Sequence, residues 1–198
     1  MRTYSDTNAL SAAAQACTRC PRMAGRRRVL SANNGSLQPR ALLIGEAPGA
    51  RGAERTGMPF FGDTSGDNLE QLMAAAGLSR QSVFISNAVL CNPQTPTGAN
   101  GKPTARELTK CSGFLSATIE LLAAPVIVTI GRVALDALSR LVKHEYKLKT
   151  HAGELLDWNG RCLFPVYHMS PLGLLHRKWD AQMADWQRLG ELLNTIAC

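Results

Sequence analysis

No stretch of the 198 residues is long and apolar enough to cross a membrane. The longest apolar run, Leu121 to Ile130, is broken by Pro125 and falls far short of the roughly 20 residues a spanning helix needs. The first sixteen residues lack the basic start and apolar stretch of a secretory signal. A reducing, cytoplasmic setting of bacterial type is therefore expected. The Walker spacing with its Lys-Ser/Thr and the GxGxxG of a dinucleotide fold are both missing, so a nucleotide cofactor is not expected. No internal repeat is present. Acidic residues are scarce beside basic ones, fifteen against twenty-two, for a formal charge of +7. That balance favours a polyanionic partner, nucleic acid first. With 45% hydrophobic residues, composition excludes disorder, collagen and a disulfide scaffold. The length predicts one domain spanning 1–198.

In a reducing compartment, clustered cysteines are more often metal ligands or redox groups than disulfides. Cys17 and Cys20 stand in CTRCPRM, a turn that can present two thiolates to one ion or cluster. Alone, the pair fits structural zinc, an iron–sulfur cluster, a redox dithiol or chance. Cys91 follows an apolar run, and Cys111 lies in the helical pattern ARELTKCSGFL, so four thiolates from three places could close one site. Cys162, inside an apolar stretch, reads as a core residue, and Cys198 as a frayed terminus.

One unit recurs four times: a short apolar run, a polar or glycine-bearing turn, then helical periodicity. The runs are Ala41 to Ile44, Val83 to Ser86, Val126 to Ile130 and Leu163 to Tyr167. Each reads as a buried parallel strand. Helical spacing covers Asp67 to Ala76, Thr104 to Leu122, Val133 to Val142 and Trp179 to Leu193. The fold class is α/β, with loops at Gly49 to Gly57 and Asn92 to Pro103.

In open α/β sheets the ligand crevice lies beyond the carboxyl ends of the strands. Here those ends carry Glu46, Asn87 and His168. Singly, Glu46 and Asn87 could be helix caps and His168 a satisfied turn residue. Together, a carboxylate, an amide and an imidazole can read a polar planar ligand and do acid–base chemistry on it. The glycines of GEAPGA let the backbone come close to a ligand. GMPFFGDTSGD sets Phe60 and Phe61 beside Asp63, either core aromatics or the stacking face and polar group that a flipped base needs.

These motifs resemble those of the iron–sulfur uracil-DNA glycosylases, families 4 and 5. GEAPG at 45–49 is similar to the first motif of family 4. GARGAERTGMPFFGD at 49–63 is closer to family 5, and SNAVLC, CTRCPRM and YHMSP complete the set in the family's order from about Cys17 to Leu193. The resemblance implies a three-layer α/β/α fold with a central four-stranded parallel sheet. It implies a structural [4Fe–4S] cluster on Cys17, Cys20, Cys91 and Cys111. It also implies an enzyme that flips uracil out of DNA and hydrolyses its glycosidic bond, leaving an abasic site. Phe60 would then stack on the base, Asn87 would read its edge, and Gly45 and Ala47 would line its pocket. His168 would donate to the carbonyl oxygen that gains charge. Family 4 likeness gives the carboxylate's work to Glu46, family 5 likeness to Asp63. The family 5 likeness also brings hypoxanthine, xanthine and mispaired thymine within range.

Nineteen residues separate Cys91 from Cys111, more than these families usually have, so this loop reads as an insertion. After the histidine the run is HMSPLGLLHRK. There Leu174 and Leu175 resemble the wedge that enters the duplex, and Arg177 a phosphate-binding arginine. Arg51, Arg55, Lys102, Arg132 and Lys178 are further phosphate candidates, and Ser170 could donate to a phosphate beside the lesion. Arg26, Arg27 and Arg28 read as a solvated face or a nonspecific DNA contact. A monomer is expected. The alternatives are a catalytically weak abasic-site or lesion-binding protein of the same fold, and a zinc protein using the four cysteines.

Overall fold

A computed structural model describes residues 3–195. Parallel strands β1 (Ala41–Gly45), β2 (Val83–Asn87), β3 (Val126–Ile130) and β5 (Arg161–Val166) are joined by β4 (Leu156–Trp158) in a sheet of order β2-β1-β3-β5-β4. The four expected parallel strands are present, β5 starting earlier than the apolar run suggested. The sheet has a fifth strand as well: β4 pairs antiparallel with β5 at the edge. The turn between them is Asn159-Gly160, both at positive φ, the signature of a two-residue hairpin.

The helices are α1 (Thr7–Gln15), α2 (Ala53–Thr56), α3 (Thr64–Ala75), α4 (Ala105–Leu122), α5 (Arg132–Leu138), α6 (Leu148–His151), α7 (Pro171–His176) and α8 (Trp179–Leu193). Alternate strand residues feed two clusters. Leu42, Ile44, Ile127 and Leu163 pack with α1, α4 and α5. Leu43, Ile85, Val128 and Phe164 pack with α3 and α8, around fully buried Trp186. With both faces covered, β1, β2 and β3 are buried at every residue, which is why they read as mainly apolar runs rather than alternating ones. Cys162 lies in the second cluster; Cys198 falls outside the described residues. No helix among the described residues is long and apolar enough to span a membrane.

The chain leaves β1 toward β2 on one side and later returns to β3 on the other. That reversal opens a crevice beyond the carboxyl ends of β1 and β3, the place where such sheets take ligands.

Candidate active site

The crevice holds a pocket of about 460 Å³, its open mouth included, lined by Ala47, Pro48, Gly49, Phe60, Asp63, Asn87, Asn100 and His168 among others. Asn87 ends β2 directly opposite Gly45 of β1. It is 2% exposed, and neither its Nδ2 nor its Oδ1 has a hydrogen-bond partner in the protein. Each buried polar group left so costs about 1–3 kcal/mol, so the amide is shaped for a ligand presenting one acceptor and one donor. Gly45 permits this packing: a Cβ there would lie 2.6 Å from Asn87 Oδ1 and 2.7 Å from Phe60 Cε2.

His168 follows β5. The Ser170 N–H donates to its Nδ1 at 3.0 Å, which leaves the ring proton on Nε2. Burial pushes its pKa below the ordinary 6.5, against the opposing pull of the Asp63 charge. The side chain is thus a neutral donor at neutral pH. Its loop is tied at Met169, whose carbonyl accepts from Asn68 Nδ2 at 2.8 Å. The His168 ring lies 5.7 Å from that of Phe60, centroid to centroid.

Asp63 is the N-cap of α3: Oδ1 accepts from the Gly66 N–H at 3.0 Å. Its Oδ2 stands over the glycines of the preceding loop, 2.4 Å from where a Cβ on Gly52 would be and 3.2 Å from one on Gly49. One carboxylate oxygen therefore fixes the side chain, the other packs against the glycine loop, and the residue lines the pocket. Glu46 is half-buried and outside the lining. Burial raises its pKa, opposed by the charges of Lys102 and Arg132. The structure thus brings Phe60, Asp63, Asn87 and His168 together and sets Glu46 beside them.

At the rim, Ser170 caps α7 by accepting from the Gly173 N–H at 3.3 Å. Leu175 is 79% exposed, as is Leu172 at 68%, one helical turn away, while Leu174 is half-buried. Leu172 went unread in the sequence, although its i, i+3 spacing to Leu175 was the available signal. Arg177 lies not at open surface but in a bidentate pair with buried Asp185, both bonds 2.5 Å. Arg55 is exposed and donates to the Arg51 carbonyl at 3.0 Å. Arg51, Lys102 and Lys178 are exposed, and Arg132 pairs with Asp136 at 2.9 Å on the surface. Asn100, also unread, reaches the pocket from the inserted loop; its Oδ1 accepts from the Ala50 N–H at 2.7 Å and from Asn92 Nδ2 at 3.0 Å.

Elsewhere, Cys17 after α1, Cys20, Cys91 after β2 and Cys111 on α4 line one common cavity, all half-buried and none in a disulfide. Arg19 Nε donates to Cys17 Sγ at 3.3 Å, and Arg28 donates to the Cys17 carbonyl at 2.6 Å. Burial tends to raise the Cys17 pKa, but the Arg19 hydrogen bond and the nearby charges lower it overall. Burial pushes Cys91 up to about 11 and Cys111 up to about 12. Binding a metal group there would have to release those protons. Among the described residues no three His, Cys, Asp or Glu side chains are placed to hold a single ion. Four thiols lining one cavity are a donor set of the kind that thiolate-bound metal groups use.

Residues 32–190 match the uracil DNA glycosylase superfamily. The chain is 34% identical over 157 residues to a type-4 uracil-DNA glycosylase of Thermotoga maritima, covering 79% of this chain and 77% of that one. It is 33% identical over 189 residues to a type-5 uracil-DNA glycosylase of Thermus thermophilus, with 78% and 83% covered. To a type-5 uracil-DNA glycosylase of Pyrobaculum aerophilum it is 28% identical over 186 residues, with 80% of each covered. With its α/β sheet, its motifs in order and a family match over most of its length, this chain belongs to the uracil-DNA glycosylase superfamily.

Proposed function

We propose that this protein is a monofunctional uracil-DNA glycosylase, a single domain that binds DNA, extrudes uracil into the pocket and hydrolyses its N-glycosidic bond. The observation that carries the reading is the unpartnered, buried amide of Asn87. Uracil presents O4 as an acceptor beside N3–H as a donor, the complement of Nδ2–H and Oδ1. Cytosine presents a donor and an acceptor in the reverse order.

The neighbouring groups supply the rest. Phe60 offers a stacking face. As the bond breaks, negative charge grows on the departing base, and the neutral Nε2–H of His168 donates to its carbonyl oxygen. The sugar becomes oxocarbenium-like, and Asp63 Oδ2 stabilises it or orients the attacking water. Ser65, also in the lining, adds a hydroxyl at that end. Leu172 and Leu175, exposed beside His168, serve as the wedge that holds the duplex open. Arg51, Arg55, Lys102 and Lys178 supply phosphate contacts. Arg177 ties the end of α7 to α8 through Asp185 instead.

Cys17, Cys20, Cys91 and Cys111 would hold a [4Fe–4S] cluster. These cysteines come from the segment after α1, from just after β2 and from α4, so a bound cluster would staple those parts together and supply structural support rather than hydrolytic chemistry.

The test is single-turnover release of free base from a uracil-containing oligonucleotide. Asp63→Asn should slow release about a hundredfold or more and Glu46→Gln by much less, with DNA affinity largely kept in both. Release unchanged by Asp63→Asn refutes the assignment of that carboxylate.

A further inference from the structure

We propose that Arg80, which lies outside the pocket, is the positioning residue that holds Phe60 in its stacking pose; the inference rests on the reading of Phe60 as the base-stacking residue. Phe60 has a φ of 48°, a left-handed conformation that a bulky side chain rarely adopts and that must be held by its surroundings. In an extended chain successive carbonyls point to opposite sides. At Phe60 the turn brings its own carbonyl and that of Pro59 to the same side, where one guanidinium takes both. Arg80 donates through one terminal nitrogen to the Pro59 carbonyl at 2.9 Å and through the other to the Phe60 carbonyl. Its Nε donates to Glu70 on α3, and its guanidinium carbon lies 5.6 Å from the centre of the Phe61 ring.

Two further features make this a built arrangement. Gly66, in the first turn of α3, lets the Phe60 carbonyl approach so closely that a Cβ there would stand 2.5 Å from it. The Arg80 side chain is only 20% exposed while its Glu70 partner is 47% exposed, so the guanidinium is sunk toward the two carbonyls. A planar fork is needed, because a lysine ammonium is a point donor on a flexible stem and cannot fix two carbonyl directions at once. An exposed Arg–Glu pair kept for stability alone would have no reason to grip the two carbonyls flanking a strained residue.

The experiment compares single-turnover uracil release from one oligonucleotide by the wild type, Arg80→Lys, Phe60→Ala and the double variant, with a crystal structure of Arg80→Lys. Expected are about a tenfold or greater slowing by Arg80→Lys, no further slowing when it is added to Phe60→Ala, and a residue 60 that leaves the φ near 48° seen here. An equal loss in both backgrounds, no loss at all, or a crystal in which Phe60 keeps its pose each overturns the proposal. If Arg80→Lys does not fold, Glu70→Gln, which loosens the fork without removing it, is read in the same cycle: a smaller loss that Phe60→Ala abolishes supports the proposal, and an additive or absent loss overturns it. A wild-type protein that releases no uracil overturns the functional reading and this inference with it, whereas a wild type that does, with additive variants, overturns this inference alone.

Discussion

Gly45→Ala tests the pocket with a single methyl group. The new Cβ would lie 2.6 Å from Asn87 Oδ1 and 2.7 Å and 2.9 Å from two atoms of the Phe60 ring. Ordinary contact begins near 3.4 Å, so the amide must retreat by about 0.8 Å and the ring by about 0.7 Å. Asn87 has little room to do so, since it ends a strand buried at every residue. Misplacement near 1 Å at a reacting site costs on the order of a hundredfold in rate, while overpacking of this kind costs roughly 1–3 kcal/mol of stability. Gly45 is not at positive φ, so the methyl introduces no backbone strain to confuse the result. The assay is single-turnover uracil release, with thermal unfolding to show that the variant is folded at the assay temperature. A folded Gly45→Ala protein within about threefold of the wild-type rate would refute the placement of the reacting base over Asn87 and Phe60.

The pH dependence follows from His168. In the proposed role the neutral ring is the working form, and burial holds its pKa below 6.5. Release should therefore stay flat as pH falls through 6.5 and drop only at more acidic values; a rate that declines as pH rises through neutrality would show that the imidazolium is the active form. Leu172→Ala with Leu175→Ala should slow release from double-stranded DNA about tenfold and from single strands little, since only the duplex needs a wedge; equal losses on both would remove the wedge role. Glu107 on α4 binds Arg22 beside the cysteine pair, and that hydrogen bond holds its carboxyl down to about 2. A lowered folded pKa gives stability that is present above the ordinary 4.5 and lost as pH falls toward 2. Glu107→Gln should thus cost about 1–3 kcal/mol at neutral pH and flatten stability across that acidic window, read by denaturant unfolding at several pH values.

The sequence was most legible where local composition decides the outcome. Ala41 to Ile44, Val83 to Ser86 and Val126 to Ile130 stand out because both faces of the sheet are covered, so apolar residues dominate them and only Ser86 and Thr129 are polar. Asn87 and His168 could be picked out because they are polar residues at the carboxyl ends of such runs. β4 went unread because Leu156, Asp157 and Trp158 are too few to show a period, though Asn159-Gly160 marked the hairpin. The α1 helix, capped by Asp6 through the Ala9 N–H at 2.8 Å, was likewise passed over in an alanine-rich stretch. Which carboxylate enters the pocket depends on the path of the loop from Gly49 to Asp63, a tertiary matter. So do the pairing of Arg177 with Asp185 and the reach of Asn100 from a loop that composition marks only as irregular.

The central claim is that the unpartnered amide of Asn87 reads uracil. Its most direct test is free-base release by the purified protein from two oligonucleotides that differ only in carrying uracil or cytosine at one position, with Asn87→Ala alongside. The account predicts release of uracil, none of cytosine, and loss of most uracil release in the variant. No uracil release by the wild type, or undiminished release by Asn87→Ala, would contradict it.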